Sequence, residues 1–253
     1  MKTGIQISSF RPILHTPEQV REAFRNLREM GCRWVQLQWI DPAVDPDFVA
    51  KTMEEHQIQS VSIQELYGEF TKDPDYFLRY NAVTGGKWIC VSRIPQSCKS
   101  PDAVHIYANE LRALDAQARA SGMEVCFHPV AADFEGPGDW DPVEGLLEAY
   151  PELPICADLY HLNKSRRNIC QWLRNHSRNI VMVHFKDGKT APDGSETLVP
   201  VGQGDIDWTG VVDCCLEIGV PYAFVEQERW EGDPFRALEA GLRWLEEQIP
   251  PAL

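Results

Sequence analysis

The stretch KWICVSRIPQSCKSPDAVHIYANELRALDAQARASGMEVCFH, Lys87 to His128, decides the fold. A short apolar run, KWICVS (87–92), leads into PDAVHIYANELRALDAQARASG (101–122), where apolar residues recur near helical spacing, and then into a second apolar run, MEVCFH (123–128). Continuous apolar runs of this length suit strands covered on both faces, and a helix between two of them is the crossover that parallel pairing needs. The unit reads as strand, helix, parallel strand.

The same alternation continues in both directions. Upstream, TGIQIS (3–8) precedes TPEQVREAFRNLREMG (16–31), with a cap-like Thr16, Pro17 in the first turn and a terminal Gly31. CRWVQLQ (32–38) precedes DPDFVAKTMEEH (45–56), and IQSVSI (58–63) precedes DPDYFLRYNAVTG (73–85). Downstream, DPVEGLLEAY (141–150) follows the fifth strand, and LPICAD (153–158) precedes SRRNICQWLRNH (165–176). NIVMVHFKD (179–187) precedes a loop and DWTGVVDCCLEIG (207–219), and PYAFVEQE (221–228) precedes DPFRALEAGLRWLEEQ (233–248). Eight such units in 253 residues predict an α/β fold, a (β/α)8 barrel. It is expected as a single domain over 1–253, since no Gly/Ser-rich linker or shift in composition divides the chain. An open doubly wound sheet would bring a glycine-rich phosphate turn after the first strand, and QISSFRP (6–12) is not one.

Composition narrows the partners. A net charge of −14 opposes polyanionic nucleic acid and anionic membrane surfaces. The one dense basic stretch, NKSRRN (163–168), reads as the solvated start of a helix. No uninterrupted apolar run reaches the roughly 18 residues of a membrane span, and MKTGIQISSF has no signal-like apolar region, so the expected location is the cytoplasm. The eight cysteines show no CxxC spacing. Cys32, Cys90, Cys126 and Cys156 lie in apolar strand runs and read as small core residues in a reducing compartment.

A βα barrel carries its chemistry at the C-terminal ends of its strands. His128 ends strand five and Asp158 ends strand six; strand seven passes through His184 to Lys186 and Asp187, and strand eight reaches Glu226, Gln227 and Glu228. Carboxylates gathered at one rim repel unless a cation neutralises them. Two carboxylates with two imidazoles and no thiolate suit Mn²⁺, Fe²⁺, Co²⁺ or Zn²⁺ better than an all-oxygen calcium site. Singly, Asp158 reads as a helix cap, His161 as rim packing and His184 as a hydrogen-bonded strand residue; their coincidence at one end favours an ion.

ADLYH (157–161), VHFKD (183–187), VGQGDIDW (201–208) and FVEQE (224–228), in this order, resemble the xylose-isomerase-like barrels of sugar-phosphate isomerases and epimerases. That superfamily also contains inosose dehydratase, ketose 3-epimerases, hydroxypyruvate isomerase and endonuclease IV. The resemblance implies a TIM barrel with one divalent ion, manganese before magnesium, cobalt, iron or zinc, held by one group from each of strands five to eight. It sets Asp158, His184 and Glu226 on metal positions and His161 on a substrate-binding histidine. Strand five departs from the pattern. Ketose epimerases carry glutamate and proline there, whereas CFHPV puts His128 in the carboxylate's place; dehydratase-like members follow a His-rich segment with an acidic residue, for which Asp133 in HPVAADF is a shifted counterpart.

The chemistry expected of such a site is proton removal beside a carbonyl polarised by the ion, through an enediolate-like intermediate. Glu226 is the candidate base, and His128 either completes the ligand set or returns the proton. Return to the same carbon is epimerisation, return to the neighbour is isomerisation, and loss of a β-hydroxyl is dehydration. Lys186 is read as binding a sugar oxyanion or phosphate, or as pairing with Asp187. Gln203, between Gly202 and Gly204, and Glu65, just past strand three, are further candidates for substrate contact. Gln36 or Gln38 lines the mouth, and Trp39, Phe10, Tyr67 and Trp230 lie near strand ends where aromatic faces meet sugar rings. The expected activity is a metal-dependent isomerase or epimerase of a sugar or cyclitol. A dehydratase-like or keto-glycoside lyase is the alternative, a non-catalytic sugar-binding barrel the next. DNA hydrolysis is disfavoured by the acidic composition. A homo-oligomer is compatible with the sequence, although no surface compels one.

Overall fold

Parallel pairing runs unbroken around a closed ring in the structure, a computed structural model that describes residues 1–250. The strands are β1 (Lys2–Gln6), β2 (Trp34–Leu37), β3 (Gln59–Leu66), β4 (Trp88–Ser92), β5 (Glu124–His128), β6 (Ile155–Asp158) and β7 (Ile180–Phe185). A two-stranded antiparallel hairpin, β8 (Asp187–Thr190) and β9 (Glu196–Val199), follows, and β10 (Tyr222–Val225) closes the ring between β7 and β1. The expected eight-unit barrel is present, and each strand lies beside its sequence neighbour.

Helices cover the outside. They are α1 (Pro17–Glu29), α2 (Pro46–Glu55), α3 (Tyr67–Phe70), α4 (Pro74–Val83), α5 (Val104–Ala120), α6 (Pro142–Ala149), α7 (Leu159–Lys164), α8 (Ile169–Asn175), α9 (Val211–Glu217) and α10 (Pro234–Gln248). A repeated local code starts them: Asp45, Asp73, Asp141 and Asp233 each cap an N-terminus with a side-chain oxygen, and a proline follows at the first helical position. Proline loses nothing there, because that N–H has no intrahelical partner in any case. Thr16 and Gln19 form a reciprocal capping box at α1. The buried face of α1, Val20, Ala23, Phe24 and Leu27, has the i, i+3, i+4, i+7 spacing of a helix laid on a core, and burying each large side chain contributes ~1.5–3 kcal/mol.

Three stretches differ from expectation. The helix expected over 165–176 begins instead at Leu159, because Asp158 caps α7 by accepting from the His161 N–H; the chain then breaks at Arg166, at φ +59°, before α8. NKSRRN is accordingly a solvated turn between two helices. The segment expected as a loop after strand seven contains the β8–β9 hairpin. The residues after β1 form a 3-10 turn over Ile7–Ile13 that carries Ser8, Ser9 and Phe10 inward.

Asp187 organises the loop after the hairpin. Its carboxylate accepts from the backbone N–H groups of Gly188, Gly202 and Gly204 and from Trp208 Nε1, at 2.9 to 3.1 Å. A β-carbon on Gly204 would lie 1.9 Å from Asp187 Oδ1, so only glycine lets the backbone N–H come close enough to donate to Oδ2. Among the described residues the Lys186 ammonium pairs with Asp158, Glu226 and Glu228 and not with the Asp187 carboxylate.

The barrel interior is unusual in chemistry. Cys90, Cys126, Cys156 and Met182, from β4 to β7, are fully buried in one cluster with Val61, Trp88 and Phe224. Strand alternation places each of these sulfurs two residues below a polar strand tip: Ser92, His128, Asp158 and His184. All eight cysteines are free thiols, as expected of core residues. Among the described residues, no helix is long and apolar enough to cross a membrane.

Candidate metal centre

Register brings the strand tips level. Ser92 pairs with His128, and Asp158 and Phe224 both pair with His184. One ligating atom each of Asp158, His184 and Glu226 lies within 4.8 Å of the others, and all three side chains are buried. His184 Nδ1 is 3.2 Å from Glu226 Oε2 and 3.9 Å from Asp158 Oδ2. His128 Nε2 approaches from the β5 side, 3.2 Å from His184 Nδ1 and 3.7 Å from Asp158 Oδ2. Four ligands about 2.1 Å from a tetrahedral ion would be about 3.4 Å apart, so these separations have the right scale.

The carboxylates divide their work by atom. Asp158 Oδ1 caps α7, while Oδ2 is buried without a hydrogen bond; Glu226 Oε1 accepts from Ser8 Oγ at 2.9 Å, while Oε2 is likewise without one. The cap reading and the ligand reading of Asp158 therefore both apply, to different oxygens. Lys186 Nζ, 3.1 Å from Glu226 Oε2 and 3.6 Å from Asp158 Oδ2, is one positive charge shared between them; two buried carboxylate oxygens so incompletely compensated, beside one imidazole nitrogen, fit a divalent cation. The donor set of nitrogen and carboxylate oxygen suits Mn²⁺, Fe²⁺, Co²⁺ or Zn²⁺.

Each histidine has its outward nitrogen fixed. His184 Nε2 meets the Gln36 amide oxygen and also lies 3.2 Å from Cys156 Sγ; with the proton on Nε2, Nδ1 presents its lone pair to the carboxylates. His128 Nδ1 lies 3.1 Å from Ser92 Oγ, leaving Nε2 toward the centre. Gln36 Oε1 also accepts from Gln6 Nε2 at 3.0 Å, and Gln6 Oε1 accepts from the Ser8 N–H at 3.3 Å. Through Ser8, Gln6 and Gln36 the network joins Glu226 to His184. Gln36→Leu should therefore weaken metal affinity by roughly 10–100-fold, the usual effect of losing such an orienting partner. Competition against a chromophoric chelator checks this, and unchanged affinity would show that the imidazole needs no such anchor.

Lys186 brings a positive charge to the centre. Its buried ammonium lies 2.9 Å from Glu228 Oε1, 3.1 Å from Glu226 Oε2 and 3.6 Å from Asp158 Oδ2. Burial alone would lower its pKa, but Glu226, Asp158 and Glu228 together hold it above the usual lysine range. Burial pushes Glu226 up, and the Lys186 charge outweighs that, holding the carboxyl well below its usual range. Asp158 is lowered as well, by His161, Lys186 and His128 acting against burial. Glu228 goes the other way, raised by burial and by the charge on Glu226. With Glu228 ionised, three carboxylates face one ammonium and the centre is two positive charges short, which a divalent ion balances; with Glu228 neutral the same ion leaves the centre one charge positive.

Other expected contacts separate. His161 reaches the centre, with Nε2 3.8 Å from Asp158 Oδ2 and Nδ1 buried and unbonded; burial holds its pKa down to about 4, so it is neutral. Gln203 is exposed on the loop after β9, and its backbone N–H donates to the Pro200 carbonyl at 3.0 Å. Glu65 lies at the end of β3 with Trp39, lining a cavity beside the centre rather than facing the ligand set itself. Asp133 is a structural cap rather than a shifted ligand: it accepts from the Ile94 and Val130 N–H groups and pairs with Lys99 Nζ at 3.0 Å. Sequence reasoning missed Ser8 and Ser92, and it named Glu228 at the tip of strand eight without giving it a role. Alternation along the strands was the available signal for Ser92, which faces inward two residues after Cys90.

The model for the xylose isomerase-like TIM barrel matches residues 24–248. No curated protein gives a significant match to the sequence. Among solved structures, a sugar phosphate isomerase/epimerase from Parabacteroides distasonis ATCC 8503 is similar at TM-score 0.77 and 16% identity, covering 98% of this chain and 94% of that one. The IolI protein with a bound zinc atom has TM-score 0.73 and 15% identity over 98% and 96% of the two chains. The 3-keto-D-glucoside 4-epimerase from E. coli has TM-score 0.68 and 22% identity over 98% and 99%.

Proposed function

The chain belongs to the xylose isomerase-like TIM-barrel family, and on that premise we propose that it is a divalent-metal-dependent sugar isomerase or epimerase working by proton removal beside a carbonyl. The observation that carries the reading is the pair of buried, unbonded carboxylate oxygens of Asp158 and Glu226 beside His184 Nδ1. His128, Asp158, His184 and Glu226 would hold the ion. When bound, it supplies Lewis-acid polarisation of a substrate carbonyl. The names of similar structures, among them isomerases and epimerases and one with bound zinc, agree with this class of chemistry.

The side chains divide the remaining work. Two carboxylates are placed to accept the proton. Glu226, held ionised by Lys186, is suited to ligation; Glu228, raised by burial and by its neighbour, is nearer the pKa that proton transfer at neutral pH requires. Lys186 stands between them, within 3.1 Å of an oxygen on each, and keeps their charges from repelling as a proton arrives or leaves. Neutral His161 offers its unbonded Nδ1 to a substrate hydroxyl. His128 has one of two roles: with Nε2 on the ion it completes the ligand set, and with Asp158, His184 and Glu226 alone holding the ion it is the group across the centre from Glu228's strand that returns the proton.

Purified protein loaded with manganese is to be incubated in D₂O with ketoses, inososes and keto-glycosides. The expected result is metal-dependent deuterium uptake at the carbon next to the carbonyl of at least one of them, read by mass spectrometry. Product analysis then separates epimer, isomer and dehydrated sugar. Metal bound at the site with no exchange on any of these sugars would leave a binding barrel and end the enzyme reading.

A further inference from the structure

A second cavity, of about 290 Å³, opens at the C-terminal ends of β2 and β3, between those strands and α4. Trp39, Tyr76, Phe77 and Tyr80 wall it, with Glu65 and Arg11 at its edge. It is joined to the metal centre through Gln64, a lining residue whose amide oxygen accepts from Gln6 Nε2 at 3.3 Å; the same Gln6 nitrogen bonds Gln36, the partner of His184.

Two features single this cavity out. The Tyr80 hydroxyl is buried and has no hydrogen-bond partner, and burial raises the phenol so that it stays a proton donor. Trp39 holds φ at +55°, in the left-handed region that large L side chains seldom enter, and outliers of this kind gather at binding sites. The backbone sets the indole so that Nε1 donates to Glu65 Oε1 at 3.3 Å, while the Arg11 guanidinium lies 4.5 Å from the ring centroid.

We propose that this cavity binds the second ring of a two-ring carbohydrate, so that the substrate is a disaccharide or glycoside with its reacting ring at the metal centre. The inference rests on the sugar reading above and names its substrate class. Aromatic walls with a few fixed polar groups suit the apolar faces and hydroxyl edge of a sugar ring. Asp41, Glu65 and Glu69 line the cavity against a single arginine, so a phosphate or carboxylate is disfavoured and a neutral ring fits. The volume, just under the ~300 Å³ at which small-molecule sites usually begin, gives room for one ring. Tyr80 donates to a ring hydroxyl, and Glu65 accepts from another.

Calorimetric titration of the manganese-loaded chain with maltose, cellobiose and trehalose, each compared with methyl glucoside, tests this without turnover. At least one disaccharide should bind roughly tenfold tighter than the single ring, the worth of about one or two good hydrogen bonds. Tyr80→Phe should bring that Kd back to the level of methyl glucoside while leaving Tm unchanged or raised, because it removes an unbonded hydroxyl. Glu65→Gln is the second variant and should weaken the same ligand. Equal affinity for one and two rings, an unchanged disaccharide Kd in both variants, or a loss of binding matched by a fall in Tm would overturn the proposal. Exchange on free ketoses with no two-ring preference would defeat this inference alone; disaccharide binding without any exchange would defeat the catalytic reading alone.

Discussion

Asp158→Ala should lower the rate of metal-dependent proton exchange by about a thousandfold or more, since loss of Lewis-acid polarisation removes several kcal/mol of transition-state stabilisation. The residue also caps α7 with Oδ1, so alanine should cost ~0.5–2 kcal/mol of stability in addition. Asp158→Asn separates the two roles. The amide oxygen can still accept from the His161 N–H and keep the cap, but the neutral side chain is a poor ligand beside His184 and Glu226. Both variants should therefore lose exchange and metal binding, while only the alanine form should melt earlier. Exchange rates are read by deuterium uptake and stability by calorimetry. An asparagine variant within tenfold of the parent rate would show that the Asp158 carboxylate does not serve the chemistry.

The ease of reading the barrel and the difficulty of reading parts of its site have the same physical origin. Strands covered on both faces must be apolar throughout, so KWICVS, MEVCFH and LPICAD announce themselves, and the Asp-Pro starts of α2, α4, α6 and α10 are local signals written in four consecutive residues or fewer. The late strand tips were legible for a related reason. An ionisable residue at the end of an apolar run has no business there unless another group compensates it, and His128, Asp158, His184 and Glu226 are four such buried residues at the same end of the barrel. Partners that reach across the ring were not legible. Ser8 bonds Glu226 from 218 residues away and Gln36 bonds His184 from 148, and neither distance leaves a trace in spacing. The β8–β9 hairpin escaped because its pattern is polar and its turn, APDGS, reads equally as loop. Asp133 misled because a buried cap and a buried ligand have the same sequence signature; only the Ile94 and Val130 N–H groups and Lys99 distinguish them.

Lys186→Met should have the largest effect on stability. In the ion-free chain it removes the one ammonium within reach of Glu226, Asp158 and Glu228, and breaking a buried pair by deleting one partner typically costs ~3–5 kcal/mol. For a chain of this size, with about 2–4 °C of Tm per kcal/mol, that is a fall of roughly 6–20 °C. The pH dependence follows from the sign of the Glu226 shift. Its folded pKa is depressed, so the pair contributes stability above the unfolded glutamate value near ~4.3 and loses it as pH falls through the folded value. Methionine should therefore cost most near neutral pH and progressively less in acid. Manganese supplies the missing charge, so it should raise the Tm of the variant more than that of the parent and bind the variant more tightly, because ion and ammonium approach the same two oxygens. Thermal melts of parent and variant, with and without the ion, at neutral pH and below 4, give the four values needed for each chain. A lysine that serves only to hold substrate predicts the opposite result: an unchanged Tm in every condition, with the loss confined to KM.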